Sequence, residues 1–182
     1  MKNILFFVVF TLGLNLYSQN KYITRNGTVS FEASVSAFEE VKANNTTATA
    51  IINIETGELA SLIFVKGFRF KNALMEEHFN ENYAESDLYP KATFKGQIID
   101  FSIDKLKNEK QNLNITGTLS FHGKTITLEN TTVKVSFEEG VLNISGYFIT
   151  DPANFNIPIP KIVKHKIAKE INVFFLFNMK KK

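Results

Sequence analysis

The chain predicts an all-β fold, an antiparallel barrel or sandwich of about eight strands with two short α-helices. Three observations carry that expectation. Apolar and polar residues alternate with a period of two over most of the chain, turn residues interrupt the alternation at short intervals, and only two segments shift to helical spacing. At 182 residues, 44% hydrophobic and 21% charged, the chain is long enough to bury a core as one domain. Its 18 phenylalanines, with no tryptophan, supply apolar bulk that has no hydrogen-bonding handle, which suits a filled core or an apolar cavity equally.

The N-terminal stretch MKNILFFVVFTLGLNLYSQN opens with Lys2 and continues as an apolar run from Ile4 to Leu16, broken by Thr11, Gly13 and Asn15. It reads as a signal peptide over residues 1–18, cut near Ser18 to leave a domain over 19–182, which places the protein in the periplasm or outside the cell. The other reading is a retained N-terminal anchor, although the run falls short of the roughly 20 apolar residues that a spanning helix needs. The chain has no cysteine, so neither disulfides nor a lipoprotein cysteine enter, and packing has to supply the stability.

Strand patterns follow in order. In GTVSFEASVS, Val29, Phe31, Ala33 and Val35 share one face; in TTATAIINI, Ala48, Ala50, Ile52 and Ile54 do. Thr56 and Gly57 turn the chain into ELASLIFVK, a hairpin partner. KATFKGQIIDF places Ala92, Phe94, Gly96 and Ile98 together, and NLNITGTLSF places Leu113, Ile115, Gly117, Leu119 and Phe121 together. His122 and Gly123 turn into KTITLEN, with Val133, Val135 and Phe137 alternating after it, and Gly140 turns into VLNISGYFIT, which carries Phe148. EINVFFLFNM closes the series with Ile171, Val173, Phe175, Phe177 and Met179 on one side. Apolar residues on its other face, Phe174 and Leu176, call for a cover, and a helix is expected there.

The two helical segments are NALMEEHFNEN, which pairs Leu74 with His78 and Met75 with Phe79 at i, i+4, and IPKIVKHKIAKE, which aligns Ile159, Val163 and Ile167. The first must end before Pro90, because the residue preceding a proline is driven to extended geometry. Helix, Tyr89-Pro90 and the strand from Lys91 therefore form one unit able to lie across a barrel mouth.

Met75, His78, Phe79, Tyr89, Pro90, Ala92, Phe94 and Gly96, followed by Gly117, Leu119, Gly123 and Thr125, resemble the two sequence signatures of the YceI-like family. The resemblance extends from about Gly27 to the C-terminus. It implies a secreted or periplasmic, lipocalin-like eight-stranded antiparallel barrel, whose apolar channel holds a polyisoprenoid or other lipid chain. The family's aromatic start with tryptophan is absent, and TDPANFNIPIPK replaces its usual Arg-Ser stretch near the last helix.

Chemistry-bearing motifs are scarce. Histidines stand at 78, 122 and 165 without metal-ligand spacing, there is no GxSxG and no phosphate-cradling glycine loop, and Asp occurs only at 87, 100, 104 and 151. His78, beside Glu76 and Glu77, suits a structural or ligand-headgroup hydrogen bond better than catalysis, since adjacent helical residues do not share a face. The formal charge of +3 gives no nucleic-acid footprint, and Lys180 to Lys182 reads as a solubilising tail. Lysines beside the second helical stripe suit a solvated outer face or a transient contact with an anionic membrane surface.

The resemblance, with no catalytic motif beside it, implies a non-enzymatic binding protein that holds a long apolar ligand for transport, storage or sequestration. No cofactor or metal is expected, only a bound lipid or isoprenoid, and the assembly is a monomer or homodimer. The expected apolar lining or lid comprises Phe31, Met75, His78, Phe79, Phe94, Ile115, Leu119, Phe137 and Phe148. The alternatives are an isomerase or cyclase acting in the same cavity and a structural envelope protein with a filled barrel.

Overall fold

The structure, a computed structural model, describes residues 20–106 and 109–182; the predicted signal peptide lies outside the described residues. Its strands are β1 (Lys21–Ser34), β2 (Lys42–Asn53), β3 (Glu58–Phe64), β4 (Arg69–Phe70), β5 (Lys91–Ile98), β6 (Gln111–Phe121), β7 (Lys124–Glu138), β8 (Val141–Thr150) and β9 (Ile167–Lys181). The α-helices are α1 (Ala73–His78) and α2 (Ile103–Leu106). Every strand pairing is antiparallel, and the order β1-β9-β8-β7-β6-β5-β3-β2 returns to β1 through a β1–β2 ladder, closing a barrel of eight strands; two-residue β4 adds to the start of β2. Closure leaves no unpaired edge of the kind that invites aggregation.

Local chemistry explains the ladder. Two hairpins turn on residue pairs with positive φ at both central positions, His122 and Gly123 (49° and 69°) and Glu139 and Gly140 (51° and 79°), the twist that matches right-handed strands. The segments read separately as KTITLEN and the Val133 run are one strand, β7, carrying a bulge where Asn130 takes a φ of 51°. In β1 a register shift between Thr24 and Gly27 moves the inward set from Tyr22 and Thr24 to Gly27, Val29, Phe31 and Ala33. The matching irregularity in β2 is held by buried Asn45, whose amide donates to the Phe64 carbonyl at 3.0 Å and whose Oδ1 accepts from Thr47 N at 2.8 Å. A buried amide satisfied on both sides fixes register without leaving an unpaired group.

The two ends of the barrel differ. At one, α2 follows β5 and buries Leu106 against a packed core that includes Tyr22, Ile52, Ile98, Leu142, Ile144 and Met179, so that end is plugged. At the other, α1, the loop between β1 and β2, and the long connection from β8 to β9 lie over the mouth.

Three expectations are corrected. The second helix lies at Ile103–Leu106, not in IPKIVKHKIAKE, which forms separate turns (Val163 N to Pro160 O, 3.0 Å; Lys166 N to Val163 O, 2.8 Å) before Ile167 joins β9 opposite Ser34. Pro158 and Pro160 remove donors there, four of the residues are β-branched, and strand pairing outweighs the weak helical preference. No helix among the described residues covers the outer face of β9, where Phe174 and Leu176 are exposed and Phe174 packs on Tyr147 of β8 at 5.8 Å. Finally, Lys180 and Lys181 are no free tail. They pair with Ile23 and Tyr22 across the β1–β9 seam, and Lys182 N donates to Lys21 O at 2.9 Å.

Candidate functional site

The helix over the mouth begins at Asn72, whose side-chain oxygen accepts from Leu74 N at 2.9 Å and Met75 N at 3.4 Å, the N-cap geometry that satisfies otherwise orphaned donors. After His78 the chain widens into one π-helical turn over Phe79–Tyr83, closed by Ala84 N to Phe79 O at 2.8 Å. A six-residue helix is marginal by itself, and tertiary ties hold this one. Glu76 accepts from Arg69 at 2.9 Å and from Phe70 N at 3.0 Å, and Asn72 Nδ2 donates to Glu39 at 3.2 Å. The Glu76 carboxylate is thus committed to the β4 side and does not form a pair with His78.

A second cover joins the first through His122. Its Nδ1 donates to the Phe155 carbonyl at 3.0 Å, and its Nε2 lies 2.7 Å from the Glu85 carboxylate. The buried ring therefore links the β6–β7 hairpin to the 3₁₀ turn over Pro152–Phe155 and to the loop after α1. Tyr89 packs against the same ring at 4.5 Å with the planes inclined at 57°, and a Cβ on Gly123 would stand 2.8 Å from the Tyr89 ring. Tyr89-Pro90 and the His122-Gly123 turn, separate in sequence, are one packing unit.

Beneath these covers the barrel encloses a cavity of about 470 Å³, within the size range of small-molecule sites. Its walls are apolar, from Val29 and Ala33 on β1 through Leu59, Ile63, Ala92 and Leu128 to Val173 and Phe175 on β9. The charged lining groups Glu39 and Lys166 stand at the mouth with His78, near the β1–β2 loop, the start of β9 and α1, while Ser61 and Thr131 add hydroxyls to the strand wall. Phe31 anchors an aromatic cluster with Phe68, Phe70 and Phe79 at centroid distances of 5.2, 5.7 and 5.3 Å.

Of the residues singled out in the sequence, Phe31, Phe94, Ile115, Leu119 and Phe148 lie on the cavity wall, and Met75, His78 and Phe79 line it from the helix. Phe137 is corrected. It sits toward the plugged end, edge-on to Tyr22 at 6.0 Å, and does not line the cavity. Alternation grouped it with Val133 and Val135 on one face, but depth along the barrel axis decides between core and cavity. Sequence reading missed Phe68, Phe70 and Phe155, which short or irregular segments bring to the cavity with apolar character as their only signal, and it placed Val163 on a helical stripe and not on the cavity wall where it lies. Among the described residues no group of three or more His, Asp or Glu is placed to hold a metal ion.

A closed antiparallel barrel, plugged at one end and carrying an apolar cavity beneath helix and loop covers at the other, defines the class of small cavity-bearing β-barrels. The profile of the YceI-like domain matches residues 21–179, and the chain belongs to the YceI-like family. Among solved structures it is similar to a polyisoprenoid binding domain from Saccharophagus degradans implicated in plant cell wall breakdown, with TM-score 0.76 and 12% identity over 90% of this chain and 99% of that one. It is also similar to Burkholderia cenocepacia BcnA (TM-score 0.69, 18% identity, 84% of this chain and 95% of that one). A YCEI protein of Campylobacter jejuni gives TM-score 0.55 at 16% identity, covering 78% and 86%. No curated protein matches the chain.

Proposed function

We propose that the protein binds one long apolar chain, a polyisoprenoid or similar lipid, in the barrel cavity, for transport, storage or sequestration in the periplasm or outside the cell. The observation that carries this reading is the 470 Å³ apolar cavity itself, since a barrel whose role was purely structural has no need of internal space. Each methylene moved from water into such a space contributes about 0.8 kcal/mol, so a chain of modest length is held without a strong polar contact. Phe31, Phe94, Ile115, Leu119 and Phe148 form the wall for the chain, and Met75 and Phe79 close over it. His78, Glu39 and Lys166 meet a polar end group at the mouth. The fold shared with the polyisoprenoid binding domain of Saccharophagus degradans supports the ligand class. The apolar run before Ser18 supports export, with a mature N-terminus at Gln19.

The test is to purify the exported protein under native conditions, record its intact mass, and analyse a solvent extract by mass spectrometry beside a heat-denatured control. One long-chain lipid per protein establishes the carrier and names its ligand. An empty extract, repeated after incubation with a mixture of polyprenols and fatty lipids, rejects the reading.

A further inference from the structure

The rim of the cavity is unequal in charge. On the α1 side stand Glu76 and Glu77, with Glu76 paired to Arg69 and Lys71 just before the helix, and Glu39 and Glu40 follow Phe38 in the β1–β2 loop, with Glu39 bonded to Asn72. Across the mouth, the connection from β8 to β9 carries Lys161, Lys164 and Lys166, Lys169 follows at the start of β9, and no acidic residue occurs between Asp151 and Glu170. At the crest of that connection Ile162 is 80% exposed, more than any other large hydrophobic among the described residues. Its neighbours Ile159, Val163 and Lys166 line the cavity. The segment thus has an inner side that belongs to the pocket wall and an outer side made of one bare isoleucine between lysines. Phe38, also exposed, packs edge-on to His165 at 5.2 Å and extends the apolar crest onto the β1–β2 loop.

A single exposed apolar residue on a soluble surface is ordinary. This one lies on the lip of an apolar cavity, in a basic segment, beside a second exposed aromatic ring. That combination of apolar tip and flanking lysines is the composition of an interfacial membrane contact. We propose that the 158–166 connection docks the barrel mouth onto an anionic lipid bilayer, with Ile162 and Phe38 entering the interface and Lys161 and Lys164 against the phosphates. An apolar chain then passes between bilayer and cavity without crossing bulk water. The α1 side, which carries no comparable run of unpaired lysines, tilts away from the surface, so contact is made by one edge of the mouth. The proposal rests on the cavity reading above, which supplies the reason for contact.

The chain has no cysteine, so Ile162→Cys gives one attachment point for an environment-sensitive nitrobenzoxadiazole dye in the exported protein. Lys105→Cys, at the plugged end, serves as the control. With vesicles of equal parts phosphatidylglycerol and phosphatidylcholine, the dye at 162 is expected to shift to the blue and brighten. The dye at 105 stays unchanged, and pure phosphatidylcholine vesicles give neither response. Lys161→Gln with Lys164→Gln should weaken the response about 30-fold, from roughly one factor of five per lysine near an anionic surface, and raised salt should act in the same direction. No change at 162, an equal change with pure phosphatidylcholine, or an equal change at 105 overturns the proposal. Solvent extraction of the same preparation separates the two readings. Lipid in the extract with a silent dye rejects docking alone, whereas a responding dye on a protein that never takes up lipid upholds docking and rejects the cavity function.

Discussion

Phe94 shows how side chains set the room inside this barrel. Its ring lies over Gly96 and Gly117, which face each other across β5 and β6, and a Cβ on either glycine would stand 2.5 or 2.7 Å from the Phe94 Cζ. At Gly117 the added carbon would also meet the Lys95 carbonyl oxygen at 2.4 Å and the Gly96 Cα at 2.5 Å, both backbone, so the strands have to part. Gly117→Ala is therefore expected to destabilise by about 1–3 kcal/mol, read as a lower urea midpoint with an unchanged m-value. Leu119, by contrast, borders empty space. Leu119→Trp should fold with a melting temperature near that of the parent while cutting ligand affinity about tenfold, equal to ~1.4 kcal/mol, because the indole occupies volume that the ligand needs. Titration of parent and variant with a polyprenol, each followed by displacement of a bound fluorescent fatty-acid probe, measures this directly. The glycines and the leucine were legible in the sequence as members of one alternating face. Which of them touches backbone and which touches a void was not, because that depends on the strand opposite.

Among elements, α1 is the clearest case of a segment visible in sequence yet stabilised from outside it. The i, i+4 pairs Leu74–His78 and Met75–Phe79 announce a helix, but only Met75, His78 and Phe79 border the cavity, and Leu74 remains exposed. Asn72→Ala removes the cap and its bond to Glu39 and should cost about 1 kcal/mol. The expected sign is faster amide exchange over residues 73–83, with the barrel strands still protected, since lids belong to the low-stability end of a structure. If strand exchange accelerates equally, the helix is integral to the global fold. The connection from β8 to β9 illustrates the opposite case. Its apolar stripe and Pro160 have helical spacing, but Ile167 gains a strand partner in Ser34, and the stripe is divided between the pocket wall and an exposed crest. His122 adds a third case, because its partners Glu85 and Phe155 lie 37 and 33 residues away. No local pattern marks it as the link between two covers.

At the scale of the molecule, the seam between β1 and β9 joins opposite ends of the chain, Tyr22 with Lys181 and Ile23 with Lys180. Removing Met179–Lys182 deletes a fully buried methionine and the last rungs of that seam. Deleting the methionine side chain alone is worth about 2–5 kcal/mol, so the truncated protein should unfold at clearly lower urea concentration and expose its cavity to solvent. A normal midpoint would show that the seam closes without those rungs. The lysines that follow the methionine looked like a solubilising tail because charge is local information, whereas strand pairing across the whole chain is not.

The sequence by itself determined the all-β class, the spacing of the hairpins, which residues share a face on nearly every strand and the position of the first helix. Each of these follows from contacts within a few residues, namely period-two alternation, positive-φ turn pairs and an N-cap. Tertiary structure alone decided that the sheet closes on itself and that α2 plugs one end while the other keeps a cavity. It also placed Phe137 in the core and Phe31 on the cavity wall. Alternation reports only which residues of a strand share a side. How far along the barrel axis a residue lies, and what stands across from it, is set by register among strands distant in sequence.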